Sequence, residues 1–296
     1  MLELLEVTKT FGQLTAVDQL TLRVAPGSVH GFVGRNGAGK TTTMRIAVGL
    51  ASPDSGRVLW NGSPPTTQSR SAFGYMPEER GLYPRMSALA QVAYFGRLSG
   101  LAASDAGAGA QRVLDDLGLT ERAGEPVEKL SLGNQQRVQL GIALVQSPEL
   151  LILDEPFSGL DPVGVDLLTE VLRKEVARGA GVVFSSHQLD LVERLCDEVT
   201  IIDSGRVVAN GTIDGLRARE GAPRYRVVLD GGWTTWAHRV AGVRILSTDR
   251  DEVLLELAPG TDDQLVLDAA RAAGRVRTFA RVTPSLAELF REVVPR

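Results

Sequence analysis

The stretch Val29-His-Gly-Phe-Val-Gly34-Arg-Asn-Gly-Ala-Gly39-Lys40-Thr41-Thr42 decides the fold. Residues 29–33 form an apolar run that predicts a buried strand, and Lys40–Leu50 has helical character. The glycine-rich turn between them fits G-x-x-x-x-G-K-[ST]. Such a turn suits phosphate. Its glycines let backbone N–H groups converge on phosphate oxygens, and the helix N-terminus adds its positive dipole end. Lys40 reaches the β- and γ-phosphates, and Thr41 offers a hydroxyl to Mg2+. The chain has 32 glycines but only the lysines 9, 40, 129 and 174, so a lysine at the motif position is informative. The bland alternative, a glycine-rich turn with a solvated lysine, is disfavoured by the strand before it and the helix after it.

Upstream, Leu2–Val7 and Leu20–Val24 alternate like half-buried strands. Downstream, Gly56–Trp60 and Ala72–Met76 read as strands, and Met86–Val145 as helical, with an Ala/Gly-rich stretch at Ala102–Ala110 expected to be a loose loop. From Leu150 strand and helix alternate: strands at Leu150–Leu153, Gly181–Ser185 and Val199–Ile202, helices at Val163–Arg178 and Leu189–Leu195. This predicts a parallel sheet covered by helices. Leu150-Leu-Ile-Leu-Asp154-Glu155-Pro156 sets two acids at the end of a buried strand, where open parallel sheets bind ligands. Asp154 suits the Mg2+ hydration shell and Glu155 the attacking water. Capping of the next helix is the structural alternative.

Between these elements stands Leu130-Ser131-Leu132-Gly133-Asn134-Gln135-Gln136-Arg137, a further helix start with a hydroxyl and N–H groups for phosphate. Ser158-Gly-Leu-Asp161 and Ser185-Ser186-His187 follow the acid pair. In this order the motifs resemble those of the ATP-binding cassette (ABC) ATPases over about Leu2–Leu216: phosphate loop, signature, acid pair, D-loop and switch histidine. The resemblance implies an α/β P-loop nucleotide-binding fold with antiparallel β and helical subdomains (about 84–146), using ATP and Mg2+. It assigns ATP to Gly34, Arg35, Asn36, Gly37, Ala38, Gly39, Lys40, Thr41 and Thr42. Phe11 stands where the family has an aromatic residue stacking on adenine; a core phenylalanine is the alternative. Ser131, Gly133, Asn134 and Asp161 would complete the ATP site of a second subunit, so a head-to-tail dimer, a homodimer in the simplest case, is expected. Glu155 and His187 are the expected catalytic pair, and Thr41, Asp154 and Glu78 the Mg2+ ligands. For His187 alone, and for His30 and His238, a structural histidine is the alternative.

Two departures stand out. Leu132 and Asn134 replace the Gly and Gln of the commonest signature, and Glu78, in Tyr75-Met-Pro-Glu78-Glu-Arg-Gly, occupies the usual glutamine position of the Q-loop. With Pro77–Pro84 and the extra C-terminal domain, these features resemble the branch containing sodium-extrusion and related exporter ATPases. That resemblance implies a subunit powering transport, by export, through a separate membrane permease. A non-transport ATPase of translation or chromosome maintenance is the rival reading.

The 296 residues suggest two domains, placed at 1–218 and 219–296 with a boundary at Arg217–Pro223. The second is expected to be a small α+β domain with strands at Tyr225–Leu229, Val243–Ser247, Val253–Leu257 and Val276–Val282. Capping boxes at Thr261–Gln264 and Ser285–Glu288 would start two helices. Lys+Arg 32 against Asp+Glu 36 gives a net charge of −4, so no nucleic-acid partner is expected. Cys196 is the single cysteine, which excludes an intrachain disulfide. With no apolar run long enough to span a bilayer, the expected location is cytoplasmic, peripheral on the inner membrane face through the permease.

Overall fold

In the computed structural model the chain forms two compact units, residues 1–213 and Asp214 onward. The residues described are 1–219, 222–231, 234–282 and 285–294. The first unit opens with β1 (Leu2–Phe11), β2 (Leu14–Val24), β3 (Val29–Gly34), α1 (Lys40–Val48), β4 (Ser55–Trp60), α2 (Thr67–Arg70) and β5 (Phe73–Met76). Three helices follow, α3 (Ala88–Leu98), α4 (Ala103–Asp116) and α5 (Leu132–Leu144). The unit continues with β6 (Leu150–Asp154), α6 (Pro162–Ala177), β7 (Gly181–Ser186), α7 (Leu189–Leu195), β8 (Glu198–Asp203) and β9 (Arg206–Thr212). Helix α8 (Ile213–Arg219) starts where the units divide, ahead of the expected boundary segment Arg217–Pro223, of which residues 220 and 221 lie outside the described residues.

An antiparallel sheet has the order β2-β1-β4. On β1, Leu2, Leu4 and then Val7 are buried. The change of phase occurs where the pairing with β2 shifts register and Glu6 has φ +51°. This bulge keeps Val7 on the inner face. The second sheet runs β5-β6-β7-β3-β8-β9, parallel from β5 to β8, with β9 antiparallel at the edge. All six residues of β3 and all five of β6 are buried, as expected of strands covered on both faces. Met44 and Ile46 of α1 join Leu2, Leu4, Phe32 and Ile152 in one core that links the two sheets. Burying each such side chain is worth about 1.5–3 kcal/mol.

The Ala/Gly-rich stretch at Ala102–Ala110 is not a loop, because it forms the first half of α4. Ala106, Gly109 and Ala110 are buried, and a Cβ on Gly109 would come within 3.0 Å of the Val145 carbonyl oxygen, so small residues permit close helix packing. Among the described residues no helix is long and apolar enough to cross a membrane.

The second unit contains β10 (Arg224–Asp230), β11 (Val243–Asp249), β12 (Glu252–Leu257), α9 (Asp263–Ala273), β13 (Arg275–Val282) and α10 (Leu286–Val293). Its antiparallel sheet has the order β11-β12-β10-β13. Tyr225 and Val227 pair with Leu255 and Val253 and pack with Val266 and Ala270 of α9. Ser285 and Glu288 form a reciprocal capping box. The box expected at Thr261 does not form: Asp262 caps α9 by accepting from the Gln264 N–H, while Thr261 Oγ1 donates to the Gly242 carbonyl. Strand β9 and helices α2 and α8 have no counterpart in the sequence reading, and β2 begins at Leu14 rather than Leu20.

Candidate functional site

Segments at the carboxyl ends of the parallel strands β3, β5 and β6, together with the β1–β2 hairpin, line a cavity of about 460 Å3. Its wall comprises Phe11, Leu14, Ala16, Asn36, Gly37, Gly39, Lys40, Thr41, Thr42, Glu78, Asp154 and Glu155. Tight geometry explains the glycines that bound the loop. A Cβ on Gly34 would approach the Ile202 carbonyl oxygen to 2.6 Å, and one on Gly39 the Ala16 oxygen to 2.3 Å. Gly39 caps α1 at φ +104° with no side-chain hydrogen bond, so the first N–H groups of α1 have no competing side-chain acceptor. Lys40 is only 7% exposed. Its Nζ donates to the carbonyls of Gly34 at 2.8 Å and Arg35 at 3.4 Å, and lies 3.7 Å from Glu155 Oε1.

Asp154 is fully buried at the end of β6, in register with Ser185 of β7. The Ser185 hydroxyl donates to Asp154 Oδ1 at 2.6 Å, whereas Oδ2 has no partner. Glu155 turns out of the strand at φ +51°, a strained conformation for a residue with a Cβ. Its N–H donates to Ser185 Oγ at 2.8 Å, and its Oε2 lies 3.0 Å from His187 Nδ1. Glu78 Oε2 lies 3.4 Å from Thr41 Oγ1, and both residues line the cavity. Among the described residues the cavity lining has one cation, Lys40, and three carboxylates, Glu78, Asp154 and Glu155.

Phe11 is 55% exposed at the cavity rim, which removes the core reading. Lys9 Nζ lies 5.5 Å above its ring and is paired with Asp54 at 2.7 Å. The hydrogen bond from Lys9, then those from Thr10, hold the Asp54 carboxyl down to about 2. Ser131 caps α5, accepting from the Asn134 N–H at 3.3 Å. Asp161 caps α6 in the same way, accepting from the Gly164 N–H at 2.7 Å. Ser131, Gly133, Asn134 and Asp161 do not line the cavity. Nor do Gly34, Arg35, Ala38 and His187: the first two give carbonyls to Lys40, Ala38 is buried within the loop, and His187 contacts Glu155 Oε2. His30 is buried against Thr200 Oγ1, with burial lowering its pKa to about 4. His238 is exposed in the second unit.

Sequence reasoning missed Leu14, Ala16, Ser185 and Gln136. Ser185 stood inside the Ser-Ser-His segment, but only the strand register brings it to Asp154. Gln136 is buried in α5, and its Nε2 donates to the carbonyls of Glu155 at 3.2 Å and Pro156 at 3.1 Å. A buried amide inside a helix was the available signal.

Residues 17–158 match the ABC transporter family, and residues 211–294 match the C-terminal domain of DrrA1-3-like ATP-binding proteins. An uncharacterised ABC transporter ATP-binding protein, YhaQ of Bacillus subtilis (strain 168), is 37% identical, with 99% of this chain and 98% of the relative covered. The daunorubicin resistance ATP-binding protein DrrA3 of Streptomyces coeruleorubidus is 35% identical, with 95% and 92% covered. The solved structure of an ATP-binding subunit of an ABC transporter superposes with TM-score 0.69 at 31% identity, over 75% of this chain and 93% of that one. Matched nearly end to end by such relatives, and folded around a phosphate loop that faces a strand-end acid pair, the chain belongs to the ABC transporter ATP-binding proteins, the ATP-hydrolysing subunits that drive transport.

Proposed function

We propose that residues 34–42 hold the phosphates of ATP, with Lys40 exchanging the Gly34 carbonyl for the β- and γ-phosphates and Phe11 lying against the adenine. Glu155 orients the attacking water and accepts its proton, while His187 steadies the carboxylate through Nδ1. The donor set fits Mg2+. Thr41 Oγ1, Glu78 and the unpartnered Asp154 Oδ2 are hard oxygen ligands, and three carboxylates against one lysine would repel a polyphosphate without a divalent cation. Among the described residues no cluster of three His, Cys, Asp or Glu forms a metal cage, which suits an ion that keeps waters and substrate oxygens. When bound, Mg2+ supplies neutralisation of charge developing on the phosphates.

The observation that carries the reading further is the separation of the two phosphate-type helix starts. The N-terminus of α1 opens into the cavity, whereas Ser131 and Gly133 at the start of α5 lie outside it. The pair works together when two copies meet head to tail, each adding Ser131, Gly133, Asn134 and Asp161 to the other's ATP. ATP closes this dimer, and hydrolysis reopens it. A separate membrane permease receives the motion and carries the substrate, which sets the chain on the inner membrane face. Export is the direction supported by the resistance protein DrrA3 and by the DrrA-like C-terminal region, which we read as a regulatory or dimer-stabilising domain. The rival translation or chromosome role has no support among these nearly full-length relatives.

Glu155→Gln tests the reading. On size exclusion with MgATP the variant should run as a dimer, with hydrolysis lowered by roughly 10²-fold or more and ATP still bound. Wild-type turnover, or a monomer at every ATP concentration, would overturn it.

A further inference from the structure

Glu155 keeps a strained backbone, and a strained residue persists only where its surroundings over-determine it. Two side chains do so here. Ser185 Oγ accepts from the N–H of Glu155 at 2.8 Å, and Gln136 Nε2 donates to its carbonyl at 3.2 Å and to that of Pro156 at 3.1 Å. The peptide groups on both sides of the Glu155 Cα are thus held, one from β7 and the other from α5. Gln136 is 4% exposed, so its amide bonds act where water does not compete.

The same amide leads to a third segment. Gln136 Oε1 accepts from Arg80 Nε at 3.3 Å, on the loop that follows Glu78. A Cβ built on Gly159 would lie 3.7 Å from Arg80 Nη2, so the guanidinium also borders the loop ending in Asp161. One turn further along α5, Gln139 Nε2 donates to the carbonyls of Pro77 at 2.6 Å and Glu79 at 3.3 Å. Positions i and i+3 of one helix face therefore hold the loops carrying Glu155 and Glu78.

We propose that Gln136 is a positioning residue for ATP hydrolysis, holding the Glu155 peptide from the helix that begins at Ser131, and that Arg80 ties this hold to the loop after Glu78. The inference rests on the reading of Glu155 as the group that orients water. A shift of α5 or of the 77–84 loop then moves the Glu155 carboxylate while leaving the phosphate loop in place. Removing the amide costs rate rather than ATP affinity, since misplacing a reacting group by about 1 Å can cost roughly 10²-fold.

The test compares Gln136→Met, similar in volume but without the amide, with Arg80→Met at an exposed site, in the full chain. Steady-state kcat and KM for ATP are measured alone and in the Glu155→Gln background. For Gln136→Met the expected result is a fall of kcat of about tenfold or more, with KM within about twofold. Arg80→Met should lose less, and neither should slow the residual hydrolysis of Glu155→Gln further. Unchanged kcat in both single variants, or an equal further loss in the Glu155→Gln background, overturns the positioning role. If Gln136→Met does not fold, the kcat of Arg80→Met and its additivity with Glu155→Gln decide alone. Wild-type turnover by Glu155→Gln would instead remove the role of Glu155 itself, so the two failures are distinguishable.

Discussion

The starts of α1 and α5 have similar sequence logic, small residues and a hydroxyl at the start of a helix, yet they are built differently. At α1 the cap is Gly39 with no side-chain hydrogen bond, Lys40 is nearly buried, and the acids of β6 face it across a cavity. At α5 the Ser131 hydroxyl already accepts from the Asn134 N–H, and Leu132 beside it is 61% exposed. In the first arrangement N–H donors and the Lys40 charge converge on one volume, with acids beside them that suit a divalent cation. The second offers a helix end and a hydroxyl outside that cavity, and under the proposed reading a second copy of the chain completes it. A helix N-terminus thus becomes a binding site only through what tertiary structure places before it.

Breaking the first site should have the largest effect. Lys40→Ala removes its one cation and should weaken ATP binding by about 2–3 kcal/mol, roughly 30- to 150-fold, measurable by titration with a fluorescent ATP analogue. An unchanged affinity would remove the contrast between the two helix starts. Ser131→Ala probes the other side: turnover should drop about tenfold while ATP binding to dilute monomer stays unchanged, at a cost near 1 kcal/mol in helix stability. Equal losses in binding and turnover would place Ser131 in the same site as Lys40.

A smaller effect concerns β3, the strand that delivers α1. Burial holds the His30 imidazole down to about 4, whereas in the unfolded chain it titrates near 6.5. The unfolded state therefore binds more protons between these values, and stability should fall as pH drops through this window, by about 1 kcal/mol from pH 7 to 5.5. Urea midpoints at the two pH values, compared with those of His30→Gln, check the sign; a slope that survives the substitution would exclude His30 as its source. The smallest effect is expected at Glu78. Glu78→Ala should raise the Mg2+ concentration for half-maximal turnover about threefold, with the ATP requirement nearly unchanged. Equal shifts in both titrations would show that the carboxylate does not favour the cation.

The sequence by itself determined the strand-loop-helix at Val29–Lys40, the acid pair after a buried strand and the alternation that yields a parallel sheet, because local patterning dictates each one. It also determined the C-terminal strands, of which β10 and β12 bury alternate residues, and the capping box at Ser285. It misread Ala102–Ala110, since the small residues that suggested a loop serve a close approach between α4 and the end of α5. It also misplaced the cap of α9, where Thr261 is engaged by Gly242 and Asp262 takes its role. Only the tertiary structure decided that Ser185, 31 residues after Asp154, bonds both it and Glu155, and that Gln136 grips the Glu155 peptide. Such pairings depend on strand register and on which helix face meets which loop, quantities set by packing of the whole unit rather than by any local stretch of residues.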